Sequence, residues 1–204
     1  MVEHTPWRGP SYKTGIGEQK LAIVGYSHYL QTDDTDDDDF TRQVIVEDVL
    51  NRKRDLFFFN QIAGYFGMDL DFWNHVVFFN FLPACIGCVD DKFREGTPHQ
   101  LALGKARALK VFNDEKPDKV FVFTKKGWLA FPPTHEETAE LDGTRPLGEL
   151  FPPEFRWGTY QLSSHPVTAC GLRHPQGADG EMMRKAVAKV MAMPYRGTRR
   201  PSPA

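Results

Sequence analysis

The stretch Leu21-Ala22-Ile23-Val24-Gly25, followed by Tyr26-Ser27-His28-Tyr29, decides how the rest of the chain is read. Five apolar or small residues run without a polar break and stop at a polar corner. A strand with one face in water alternates apolar and polar side chains. A strand covered on both faces by helices reads as a continuous apolar run. The same form recurs at residues 75–80, 120–123 and 167–172. Their corners are Asn80-Phe81-Leu82-Pro83, Thr124-Lys125-Lys126-Gly127 and Arg173-His174-Pro175-Gln176-Gly177. Helical patterns lie between and after these runs, at 41–50, 55–66, 98–113 and 179–193. Strands alternating with helices predict an α/β domain, three-layer α/β/α, around a short four-stranded parallel sheet. Ligands of such sheets bind outside the carboxyl ends of the strands. One rim therefore gathers a tyrosine, two histidines, an asparagine and two lysines.

The helices carry their own signals. Thr41 is placed to cap the first, with Val44, Ile45 and Val49 on one side. Phe58, Ile62, Tyr65 and Phe66 form an aromatic stripe in the second, which Gly67 ends. A stripe at that spacing is expected to be core; Phe57 and Phe59 fall off it. In the third, Leu101, Ala102, Lys105, Ala108, Leu109 and Phe112 are in pattern. Residues 127–131 read as a single helical turn stopped by Pro132-Pro133.

The chain has 204 residues, 41% hydrophobic, with 16 Phe, which suits one domain with a Phe-rich core. Residues 1–18 read as an arm anchored by Trp7 and Tyr12, 19–193 as the domain, 132–160 as an edge excursion, and 194–204 as a basic disordered tail. A net charge of -2 gives no global attraction to nucleic acid, so such binding needs a local patch. Arg42, Arg52, Lys53 and Arg54 offer one. Residues 33–39 hold six aspartates in seven positions, within a loop at 31–39 expected to stay solvated. That loop lacks the glycine and spacing of a calcium loop. No apolar stretch approaches the about 20 residues that span a bilayer, and residues 1–17 lack a signal-peptide core. A cytoplasmic monomer without a membrane partner is the expectation.

Cys85, Cys88 and Cys170 fit a reducing compartment. Cys85-x-x-Cys88 has no second pair, and a zinc site would need Cys170 with His174 or His165. Packed thiols are expected instead, with no metal and no cofactor.

Three of the corners together resemble the uracil-DNA glycosylase superfamily. Gly25-Tyr26-Ser27-His28-Tyr29 stands at that family's first motif, Asn80 at its asparagine after the second strand, and His174-Pro175-Gln176-Gly177 at its last motif. Strand order and crossover lengths agree with the family over most of residues 19–193. The resemblance implies hydrolysis of the N-glycosidic bond of a flipped uracil or deaminated base in DNA, single-stranded or duplex, without metal. It implies that Asn80 reads the base, since an amide offers both a donor and an acceptor. It implies that His174 stabilises the leaving base by a neutral N–H. Tyr29 matches a tyrosine that excludes the methyl group of thymine, and Tyr26 adjoins it. Phe40, Phe57, Phe59 or Phe81 would stack on the base. Lys125, Lys126 and Gln176 would meet phosphate.

The chain also departs from that pattern. Tyr26 and Ser27 stand where active members carry Asp, Asn or Glu to position water. Ser27, with His28 as partner, is the remaining candidate there, because a serine hydroxyl alone is a poor base. Gln176-Gly177 stands where a serine is expected, and the four cysteines of the iron–sulfur branches are missing. The alternative is a module on the same fold that binds nucleic acid or a nucleotide without cutting. Plainer roles also stay open. Gly25 can serve a tight turn, Tyr26 and Tyr29 can cap the core, Asn80 can bond local backbone, and Lys125 and Lys126 can be a solvated face.

Overall fold

A computed structural model describes residues 2–31, 34–88, 94–133, 156–162 and 165–193. Its strands are β1 (Trp7–Arg8), β2 (Leu21–Gly25), β3 (Val76–Asn80), β4 (Lys119–Val122), β5 (Arg156–Gln161) and β6 (Pro166–Gly171). They form one sheet in the order β1-β3-β2-β4-β6-β5. Neighbours from β3 through β2 and β4 to β6 are parallel. Both edges are antiparallel. The expected four-stranded parallel sheet is thus corrected to a six-stranded mixed one. The arm contributes β1, held by the Trp7 indole N–H donating to the Trp73 carbonyl at 2.7 Å. The 132–160 segment contributes β5, whose Tyr160 hydroxyl donates to the Pro132 carbonyl at 2.6 Å. Residues 134–155 of that segment, and the tail at 194–204, lie outside the described residues.

The helical elements are α1 (Phe40–Gln43), which continues as a π-helical segment (Val44–Leu50), then α2 (Phe57–Tyr65), a 3₁₀ turn (Leu70–His75), α3 (Pro98–Glu115), α4 (Lys125–Ala130) and α5 (Gly180–Met191). Alternate side chains of the central strands feed two cores. Leu21, Ile23, Phe78 and Phe121 pack with the π-helical segment, α2 and α5. Ala22, Val24, Val77, Phe79, Val120 and Val122 pack with α3 and the Trp128 of α4. Helices therefore cover both sheet faces, which is why the strands carry no polar alternation. Among the described residues no helix is long and apolar enough to cross a membrane.

Caps explain several helix starts. Thr97 and Gln100 form a capping box with Pro98 in the first turn. Asp179 accepts the Met182 N–H and Thr124 accepts the Gly127 N–H. Thr41 is not a cap, contrary to expectation. The helix begins at Phe40, and the buried Thr41 hydroxyl bonds His28 instead. The inner face of α3 is also turned from the expected one, and buries Gly104, Arg107, Ala108, Val111 and Phe112. Gly104 lies so close to Phe81 that a Cβ there would sit 2.7 Å from its carbonyl oxygen. Arg107 goes inside because carbonyls at the strand ends receive its guanidinium.

The register that matters for function is Gly25 beside Asn80, at the carboxyl ends of β2 and β3.

Candidate functional site

A cavity of about 280 Å³ opens at those strand ends. The corner at residues 25–29, Asn80 and His174 all border it. Three chain regions far apart in sequence thus converge there, as the parallel strand ends dictate.

Asn80 ends β3 and is 4% exposed. Its carbonyl receives the Arg107 guanidinium at 2.7 Å, which fixes the backbone. Its side-chain amide has no hydrogen bond among the described residues and borders the cavity. A Cβ at position 25 would overlap Asn80 Oδ1, so Gly25 makes room for the amide rather than a turn. A buried amide with unused donors and acceptor is costly unless a ligand or water completes it.

His174 follows β6. The backbone N–H of Gln176 donates to its Nδ1 at 3.1 Å. Nδ1 is therefore the acceptor, and in the neutral ring the proton sits on Nε2. His174 is exposed as a whole residue, and the desolvation of its ring on the cavity side lowers its pKa below the usual imidazole range, which favours that neutral form. The Phe58 ring lies 5.3 Å from the His174 ring and lines the cavity. Phe58 was expected in the core. It is half-buried, while Phe59, read as off the stripe, is buried. Of the other expected stacking rings, Phe40 and Phe59 reach the cavity. Phe57 is exposed, and Phe81 packs in the opposite core against Phe131.

Ser27 and His28 border the cavity, but the Ser27 hydroxyl is not bonded to the His28 imidazole. The Ser27 hydroxyl donates to the His28 carbonyl at 2.8 Å. The His28 Nε2 meets the Thr41 hydroxyl at 3.1 Å, and its ring packs on Phe40 at 5.2 Å. Burial, with His4 and Arg107 nearby, pushes the His28 pKa down to about 3. His28 is thus a neutral wall residue and a weak base. The expected pairing of Ser27 with His28 is replaced by these bonds. Tyr26 holds the Gly96 N–H on its hydroxyl at 3.0 Å. Burial raises the Tyr29 phenol pKa, so Tyr29 meets the cavity as a neutral group.

Two carboxylates in the wall escaped the sequence reading. Asp48, 3% exposed, lies on the π-helical segment and pairs through Oδ2 with Arg54. Its Oδ1 has no hydrogen bond among the described residues. Asp34 borders the cavity and accepts the Gln31 N–H at 2.8 Å. A signal did exist for Asp48, as a lone acid on the apolar side of a helical pattern.

The expected phosphate contacts lie outside the cavity lining. Lys125 and Lys126 are exposed on α4, and Lys126 pairs with Glu95 at 2.6 Å. Gln176 is exposed beside His174. In the basic stretch, Arg42 pairs with Asp39, Lys53 with Glu47 and Arg54 with Asp48. That patch is largely neutralised. Cys170 is buried in β6 while Cys88 is exposed in a loop. The zinc set that would use both is therefore not assembled.

No family model and no curated protein matches the chain.

Proposed function

We propose that this cavity receives an extruded uracil-like base and that the protein is a uracil-DNA glycosylase-like hydrolase of N-glycosidic bonds. The observation that supports this best is the meeting of Tyr29, Asn80 and His174 on one cavity, with the His174 proton directed to Nε2. A glycosylase must take its base out of the stack and read its edge in a pocket. The free Asn80 amide offers a donor and an acceptor to the amide edge of a pyrimidine. Phe58 supplies a face for stacking, and Tyr29 limits the space at the ring.

Bond breaking leaves the electron pair on the base and a cationic sugar. The His174 Nε2–H stabilises the developing negative charge on a base carbonyl, and the bound base itself would displace water from the cavity. Water then adds its hydroxide to the sugar, and its proton goes to the base or to solvent. Asp48 Oδ1 is a carboxylate oxygen of the wall with no hydrogen bond among the described residues, and orients that water in place of a first-motif carboxylate. No step requires a metal.

A second reading is binding of a nucleotide or single strand without cleavage. The pairing of Lys126, Arg42 and Arg54 with carboxylates favours it, since these cations are less available to grip a duplex. Uracil-, hypoxanthine- and xanthine-containing oligonucleotides, single- and double-stranded and in chelator, separate the readings. Free base appearing in solution supports the hydrolase. Salt-dependent binding with no free base supports the module.

A further inference from the structure

A second cluster lies behind the cavity wall. His4 comes from the arm, Asp36 from the acidic loop and Cys85 from the loop after β3. A ring nitrogen, a carboxylate oxygen and a thiol sulfur from these three lie within 4.8 Å of one another. His4 Nε2 meets Asp36 Oδ1 at 2.6 Å, and the Cys85 N–H donates to the same oxygen at 3.4 Å. His4 is 1% exposed, yet its Nδ1 is buried without a partner. The backbone pins the three segments independently. His4 N–H donates to the Pro83 carbonyl at 2.8 Å, and Thr5 N–H to the Asp38 carbonyl at 2.6 Å.

Nothing in the proposed hydrolysis uses these groups. An imidazole, a carboxylate and a thiol from three chain segments, held this close together, suit a metal ion. We propose that His4, Asp36 and Cys85 form a binding site for a single zinc-type divalent ion. Mixed nitrogen, oxygen and sulfur donors select borderline-soft ions over calcium or magnesium. Tetrahedral bonds of about 2.0–2.3 Å put ligand atoms about 3.3–3.8 Å apart. The three ligand atoms, all within 4.8 Å of one another, lie near that spacing. Three protein ligands leave a fourth position for water. Binding sends the Cys85 thiol proton to solvent.

The ion would tie the arm to the acidic loop. The His4 ring lies 5.5 Å from both His28 and Phe40, which line the cavity, so the tie stiffens that wall. The site is independent of whether the cavity cuts its ligand.

The test uses the full chain, stripped with chelator and titrated with cobalt(II) as an optical probe, then with zinc. The expected result is one equivalent of cobalt with a thiolate-to-metal charge-transfer band, displaced by zinc. Cys85→Ser abolishes the band, while Cys88→Ser, an exposed neighbour outside the cluster, keeps it. His4→Gln weakens zinc by more than the about 10–100-fold that loss of an outer-shell partner costs. Thermal melts of each apo variant check folding. A wild-type chain that gives no charge-transfer band overturns the proposal. So does a band that survives Cys85→Ser or vanishes equally in Cys88→Ser.

Discussion

The Asn80 side-chain oxygen occupies the space that a Cβ on Gly25 would need. The two residues are partners in register at the ends of adjacent parallel strands. The amide that borders the cavity therefore depends on a missing methyl group one strand away. Gly25→Ala is expected to displace that amide and to cost about 1–3 kcal/mol of stability, as overpacking does. Denaturant unfolding together with base or nucleoside affinity checks both effects. Full stability with unchanged affinity would show that the amide is placed otherwise.

Asn80→Ala should fold, because Arg107 bonds its backbone carbonyl and not its side chain. Ligand affinity should fall by a factor that corresponds to about 1–3 kcal/mol, the cost of leaving the ligand's polar edge unpaired. Calorimetry with a uracil-bearing oligonucleotide reads this directly. An unaltered affinity would remove Asn80 from the recognition edge.

Asp48→Asn keeps an acceptor for Arg54 but removes the charge that orients water. Base release should drop on the order of 100-fold, with binding retained. Stability should fall by about 1–3 kcal/mol, since the buried carboxylate is replaced by a weaker, neutral acceptor for Arg54. Equal release by wild type and variant would take the water-orienting role away from Asp48.

Stability should fall as the solution is acidified below pH 6.5, in part through His28. Its folded pKa is depressed to about 3 from an ordinary 6.5. The unfolded chain therefore binds a proton that the folded chain refuses between those values. From this group the loss is about 1.4 kcal/mol per pH unit in that window, and about 2 kcal/mol by pH 5. Urea unfolding at pH 7 and pH 5 measures it, and His28→Gln should flatten the slope by nearly one proton. An identical slope in the variant would mean that His28 titrates normally.

Arg107 donates to the carbonyls of Asn80, Leu82 and His4 from inside α3. Arg107→Met removes all three donors and should cost about 3 kcal/mol or more. A loss below 1 kcal/mol would show that water or neighbouring N–H groups take over.

Parts of this architecture were legible because one physical rule governs them. The runs at β2, β3, β4 and β6 are apolar throughout since helices cover both faces, and their ends point to one rim. That made Tyr29, Asn80 and His174 readable as neighbours. The edges were not legible. Trp7–Arg8 is too short to show any period, and Arg156–Gln161 follows a stretch rich in proline and charge. Burial of Arg107 depends on carbonyls brought to it by other strands, which no local pattern announces. Asp48 shares the buried face of Val44, Ile45 and Val49 at ordinary helical spacing, so its place was legible, but the Arg54 that accompanies it there comes from the following turn and no local pattern announces the pair. The Ser27–His28 pairing failed because Thr41, inside the first helical turn and not at its cap, takes the imidazole.

The central claim is that the cavity cleaves an N-glycosidic bond with His174 as the donor to the departing base. Single-turnover release of free uracil, by wild type and by His174→Ala in chelator, tests it most directly. The account predicts release by wild type and a loss of about 100- to 1,000-fold in the variant, the effect of removing one such donor. Loss of release on acidification should come at a lower pH than an ordinary imidazole would give, since the His174 pKa is lowered by desolvation. Release that is unchanged in His174→Ala, or none from wild type on any uracil-bearing strand, would contradict it.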